Sequence, residues 1–173
     1  MEEVKQHPRS KRKRKNINVY FNKTKSTGQT KYITGEFQSN KCNSYVPYRS
    51  SYELAYLEQL EKDENVINFQ YEPISLKYTD IYNKERTYPP DFIVLYKDGS
   101  VVISEIKPEA MLKDYNVQAK KKAVLKYIEE NIPKDLNVSY KFITETCLFK
   151  SPTDYVNFIR RVKKNDYKSI TDV

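Results

Sequence analysis

The sequence predicts a single α/β or α+β layer domain, a mixed sheet flanked by helices, with a basic N-terminal arm. Three observations predict it. Apolar periodicity along the chain reads helix, several strands, helix, strand, helix. The 173 residues are 38% hydrophobic and 31% charged, which suits one modest core. The charge is uneven: residues 1–50 hold 12 Lys and Arg against 3 Asp and Glu, and the remainder hold 19 against 20. All of the net +8 therefore sits in the N-terminal third.

Residues 1–45 have little periodicity and few aliphatics, and read as an arm ordered only in places. Its densest part, SKRKRK, carries Lys11, Arg12, Lys13, Arg14 and Lys15. Such a run suits DNA, because cations near phosphates release counterions. The plainer reading is a solvated tail. The globular part, residues 46–173, opens with VPYRSSYELAYLEQLEKDENV. Ser50 with Glu53 three residues on is a capping-box pattern, and Leu54, Leu57 and Leu60 follow at helical spacing. VINFQYEPISLKYTD reads as one or two strands broken near Pro73, and IYNKERT as a polar turn. A hairpin, YPPDFIVLYKDGSVVISEIKP, comes next. A helix then starts at Asn116, offering Val117, Val124, Leu125 and Ile128 to the core and Lys120, Lys121 and Lys122 on its other side. NVSYKFITET reads as a strand. SPTDYVNFIRRVKK reads as a final helix capped by Ser151, with Pro152 at its first position.

Composition excludes several chemistries. The one histidine, His7, lies in the basic arm, so triads, Cys-His pairs and His-ligated zinc are not expected. Cys42 and Cys147 form no CxxC motif and read as reduced structural thiols. No apolar run approaches the roughly 20 residues of a membrane span. The charged N-terminus has no apolar signal-peptide core. The expected setting is the cytoplasm.

The hairpin holds Asp91, Glu105 and Lys107, where a plain one would hold Val, Thr or Tyr. A two-residue turn at Asp98-Gly99 would point Asp91 and Glu105 to opposite faces. A three-residue loop of Lys97, Asp98 and Gly99, with Gly99 left-handed, instead sets Asp91 against Glu105, Ile93 against Ile103 and Leu95 against Val101. That register gives one face with an apolar floor and a charged rim, and is the one predicted. Opposed residues have Cβ atoms about 4.5–5.5 Å apart. Two carboxylates so close repel unless a proton or cation joins them. Mg²⁺ takes few carboxylates, and a neighbouring lysine suits phosphoryl chemistry. The plainer reading is a Glu105–Lys107 salt bridge at a solvated strand end.

Pro90-Asp91, then thirteen residues, then Glu105-Ile106-Lys107 resembles the PD-(D/E)XK nuclease motif. PYRSSYELAYLEQL, FQYEPISL, the hairpin and QAKKKAVLKY follow in the order of two related groups. These are the TnsA-like transposon endonucleases and the head-completion nucleases of T-even-like tailed phages. KYITGEFQSNKCNSYVPYRSSYE looks more like the phage group, with Tyr52 in place of its usual Trp. The likeness spans about residues 31–145 and leaves the first 30 residues and the last helix unexplained. It implies a restriction-endonuclease-like fold and Mg²⁺-dependent hydrolysis of DNA, with Mn²⁺ able to substitute. Asp91 and Glu105 would be metal ligands, the Ile106 carbonyl would complete the shell, Lys107 would be the catalytic lysine, and Glu53 would be a further acid that binds or orients metal. Glu53 has the competing role of closing its capping box. Arg49 and Ser50 either contact phosphate or cap the helix. Gln118, Lys121 and Lys122 either face DNA or sit on a solvated helix face.

The leading expectation is a metal-dependent DNA endonuclease in phage head completion, with head or neck proteins as partners and a virion-associated location. A TnsA-like subunit working with a transposase comes second, because such proteins usually carry a further C-terminal domain. A non-catalytic DNA-binding assembly protein is third. A homodimer would explain double-strand cutting.

Overall fold

The computed structural model describes residues 33–168, with side chains up to residue 164. The chain runs β1 (Gly35–Ser39), β2 (Ser44–Tyr48), α1 (Ser51–Lys62), β3 (Val66–Tyr71), β4 (Leu76–Thr79), β5 (Glu85–Tyr88), β6 (Phe92–Tyr96), β7 (Val101–Ile106), α2 (Tyr115–Asn131), β8 (Val138–Ile143), α3 (Glu145–Leu148) and α4 (Pro152–Lys168). A 3-10 turn at Glu109–Met111 precedes α2. The central sheet has the order β3-β6-β7-β8. β3, β6 and β7 are antiparallel, and β8 is parallel to β7. A parallel neighbour needs a crossover, which α2 supplies. This is an open, mostly antiparallel mixed sheet flanked by helices, as the periodicity predicts.

Alternation along the strands divides the core in two. Phe92 and Val94 face one side of the sheet, with Leu54, Leu57, Leu60, Phe69 and, from α4, Phe158. Ile93 and Ile103 face the other side, with Leu76, Tyr88 and Val124. Ser50 caps α1 by accepting the Glu53 N–H at 3.1 Å. Ser151 Oγ accepts the Asp154 N–H at 3.2 Å at the start of α4. Both caps stand where the sequence puts them. Among the described residues, no helix is long and apolar enough to cross a membrane.

The structure corrects several local expectations. β1 and β2 form a hairpin within the stretch that reads as arm and its margin. A side chain at Gly35 would collide with the Tyr48 ring, which lies across it. Ser39 Oγ and the Asn40 N–H both bond the Glu61 carboxylate, and Lys41 Nζ bonds the Leu60 and Asp63 carbonyls at the end of α1. Polar contacts to α1 thus hold a segment that has few aliphatics. Cys42 Sγ donates to the Phe69 carbonyl at 3.0 Å. IYNKERT is a turn only in its first half, since Glu85 opens β5 and pairs with Thr79. Asp80, 5% exposed, accepts from the Tyr82 and Lys84 N–H groups and from Arg86, which tightens that turn. α2 starts one residue early because Asp114 caps it through the Asn116 and Val117 N–H groups. Leu125 is 45% exposed and does not join the core. Lys120 is not free on the far side of α2, because its ammonium lies 4.9 Å from the Tyr88 ring centroid.

The β6–β7 loop decides the register of the sheet's centre. The Tyr96 N–H donates to the Ser100 carbonyl at 2.9 Å, and the Gly99 N–H to the Tyr96 carbonyl at 3.0 Å. Gly99 has φ +82. Leu95 therefore pairs with Val101 and Ile93 with Ile103, the predicted three-residue arrangement. Nothing lies within 4 Å of a Cβ built at Gly99, so a side chain there meets only backbone strain. Gly99→Ala is expected to cost about 1–2 kcal/mol, measured as a shift in urea midpoint with an unchanged slope.

Candidate active site

One step beyond the Phe92–Ser104 pair, the register sets Asp91 against Glu105. The site lies where β3 ends, β6 begins and β7 ends. Glu105 is 2% exposed. Its Oε1 lies 2.9 Å from Lys107 Nζ, and its Oε2 is buried without a hydrogen-bond partner. Asp91 Oδ2 accepts the Ile106 N–H at 2.7 Å. Lys107 Nζ also donates to the Ile106 carbonyl at 3.2 Å. The Asp91 and Glu105 carboxylates, the Ile106 carbonyl and the Lys107 ammonium are therefore neighbours in one partly desolvated corner.

The electrostatics follow from that geometry. Burial first, then the Glu105 charge, push the Asp91 carboxyl up to about 7, against the pull of Lys107 and the Ile106 N–H. Burial opposes charge on Lys107, but Glu105 and Asp91 outweigh it and hold its pKa above the ordinary lysine value. Lys107 is thus an ammonium at neutral pH, suited to holding an anion rather than to taking a proton.

Glu53 reaches this corner from α1. Its Oε2 accepts the Arg49 N–H at 2.8 Å and its Oε1 accepts from Ser50 Oγ at 3.1 Å. It is therefore a capping residue. Its charge also acts on Asp91 and Lys107, so the cap and the hairpin acids share one field. Both readings of Glu53 remain compatible with its position.

The donor set fits a hard divalent cation. Mg²⁺ is commonly held by one or two carboxylates and keeps several waters. Glu105 Oε2 is an orphaned buried acceptor, at a cost of about 1–3 kcal/mol or more for a charged group. A cation would satisfy it and offset the repulsion that, after burial, raises Asp91. Among the described residues, no three His, Cys, Asp or Glu side chains are already gathered as a metal-holding group. Two carboxylates and a backbone carbonyl are what this corner offers.

Among the other sequence candidates, Arg49, Gln118 and Lys121 have partners outside the acid pair. Arg49 forms a bidentate pair with Glu72 at 2.8 and 3.0 Å and lies 5.6 Å from the Tyr71 ring centroid. Glu72 has φ +46. Such strain costs about 1–3 kcal/mol, whereas an exposed ion pair returns about 0–1 kcal/mol. Gln118 donates its amide to the Leu112 carbonyl and closes the loop before α2. Lys121 lies 5.8 Å from the Phe142 ring centroid, and Lys122 is exposed. Lys11, Arg12, Lys13, Arg14 and Lys15 lie outside the described residues.

Sequence reasoning missed one neighbour of the acids. The Tyr140 hydroxyl is, with Glu105 Oε2, a buried side-chain atom without a partner among the described residues. Burial and the Glu105 charge both push its phenol upward. Its place depends on the parallel register that sets Tyr140 beside Ile103 and Phe142 beside Glu105, for which the sequence carries no turn signal.

An open mixed sheet with helices on both faces, and an Asp-Glu-Lys hairpin at its centre, is consistent with a restriction-endonuclease-like α/β fold. Residues 63–145 match the family described as TnsA-like endonuclease N terminal. The chain therefore carries a TnsA-like endonuclease N-terminal domain over residues 63–145. Asp91, Glu105, Lys107 and Gln118 fall inside the match, whereas Arg49, Ser50 and Glu53 precede it. No curated protein matches the chain. The match favours the transposon-type relationship over the phage head-completion setting that heads the sequence reading.

The raised Asp91 carboxyl makes stability depend on pH. In the metal-free folded chain Asp91 keeps its proton up to about pH 7, whereas an ordinary aspartate loses it near 3.8. Its contribution to stability is fully present below the lower value and is lost as pH rises through 7. The Tm of the wild type relative to Asp91→Asn is therefore expected to fall between pH 5 and 8. Mg²⁺ or Mn²⁺ at pH 8 is expected to raise the wild-type Tm and leave that of Asp91→Asn unchanged.

Proposed function

We propose that this protein is a metal-dependent DNA endonuclease of the TnsA-like type, hydrolysing phosphodiester bonds at the Asp91–Glu105–Lys107 corner. The observation that carries the reading is the buried, unpartnered Glu105 Oε2 beside a carboxyl already pushed up by burial and by its neighbour. Asp91 and Glu105 would hold Mg²⁺ or Mn²⁺, with the Ile106 carbonyl adjacent. The chemistry such an ion supplies when bound is polarisation of a phosphoryl oxygen and acidification of water.

The chain's own groups have separate tasks. The Ile106 N–H donates to Asp91 Oδ2, which fixes the face that this carboxylate presents. Lys107 stays protonated and gives positive charge to the phosphate as negative charge develops on it. Its 2.9 Å contact with Glu105 fixes where that charge sits. Glu53 holds the N-terminus of α1 against the same corner through Arg49 and Ser50. One such site cuts one strand, so a double-strand break needs a second copy or a partner nuclease. Within the family likeness, that partner would be a transposase.

Supercoiled plasmid tests the reading. The wild type is expected to nick it with Mg²⁺ or Mn²⁺. Lys107→Ala and Glu105→Ala are each expected to lose about a hundredfold in rate or more. Equal activity in all three proteins would assign the cutting to a contaminant. Binding to DNA that is unchanged in EDTA, with no cleavage under either metal, would favour a non-catalytic role.

A further inference from the structure

The pair formed by Arg49 and Glu72 is poorly explained by stability. Glu72 adopts φ +46 although it is not a glycine. It also precedes Pro73, and a proline restricts the residue before it to extended conformations. The ion pair that this geometry yields rests on an arginine side chain that is 66% exposed. An exposed pair returns less than such a backbone costs.

What the strained turn achieves is placement. The Glu72 N–H donates to the Asp91 carbonyl at 2.9 Å, so the glutamate is anchored to a residue of the acid corner. Its two carboxylate oxygens take Nη1 and Nη2 of Arg49. The Arg49 N–H is held by Glu53, and its guanidinium lies over Tyr71. The guanidinium is thus fixed by two neighbours, with its backbone held by a third, and is still open to solvent. A guanidinium has five N–H donors, and the glutamate uses two of them. The rest stand ready for the oxygens of a phosphate, which the planar guanidinium fork suits better than a lysine ammonium does.

We propose that Arg49 binds a backbone phosphate of DNA at the mouth of the Asp91–Glu105–Lys107 corner, and that Glu72 is the positioning residue that aims it. The proposal rests on the DNA endonuclease reading. Glu72 cancels much of the arginine's long-range charge, so the pair contributes placement of a phosphate already nearby rather than attraction from a distance. The strain at Glu72 is then part of the binding geometry.

Affinity for a duplex oligonucleotide, read by fluorescence anisotropy in Ca²⁺ with the DNA recovered intact, tests this directly. Arg49→Ala is expected to weaken binding about tenfold, the scale of one charge-assisted hydrogen-bonded contact. Arg49→Lys is expected to restore only a minor part of the loss. Glu72→Gln is decisive because simple charge removal and lost positioning have opposite signs. It is expected to weaken binding by about threefold, a fraction of that contact, and to cause no weakening in the Arg49→Ala background. Tighter binding by Glu72→Gln in both backgrounds, or wild-type affinity in Arg49→Ala, would overturn the proposal. Unchanged Tm values in the variants exclude misfolding as the cause. Plasmid nicking by the wild type reports separately on the nuclease reading. If nicking is absent while the affinity pattern holds, that reading falls and the Arg49 contact stands.

Discussion

The structure of this site depends on two carboxylates being forced into one partly dry corner. Asp91 and Glu105 face each other only because the β6–β7 loop contains three residues. A loop shorter by one residue would turn every side chain of β7 to the opposite face. The apolar floor of Ile93 and Ile103 would be lost together with the acid pair. Core packing and site chemistry are therefore set by the same backbone turn. Lys107 relieves part of the repulsion from the next residue on the same face, and its ammonium leaves Glu105 Oε2 unsatisfied. The corner is built with a deficit of positive charge.

Around this pair, three elements converge with different roles. α1 brings Glu53, already committed to its helix end, close enough for its charge to be felt by Asp91. The end of β3 brings Glu72 and, through it, Arg49. β8 closes the far side with Phe142 and Tyr140. No single element holds the site.

Much of this was legible in the sequence, and for identifiable reasons. Ser50 with Glu53, Ser151 with Pro152, and Asp98-Gly99 are local signals whose chemistry acts over a few residues. The structure places a cap or a loop at each of them. The hairpin register followed from one glycine and the requirement of a single apolar face. What stayed hidden depends on contacts distant in sequence. β1 and β2 are held to α1 through Glu61, and no periodicity announces such polar anchoring. β5 is polar because it pairs with short β4 at a solvated hairpin, so it read as a turn. Leu125 looked like core by spacing, but α2 turns Val124 inward and leaves Leu125 outside. The left-handed backbone of Glu72 has no compositional mark beyond the proline that follows it.

The parallel pairing of β7 with β8 also imposes an order in time. The β6–β7 hairpin closes over a short loop, a process of microseconds. β8 is separated from β7 by the whole of α2, so its docking must bear a larger loop-closure entropy and comes later. The two acids thus meet early, while water still surrounds them. Only when β8 settles does that corner dry out. Proton uptake, or capture of a cation in its place, is then coupled to the closing step of folding. Near neutral pH and without divalent ions, the slow phase of refolding should carry the pH dependence that the fast phase lacks.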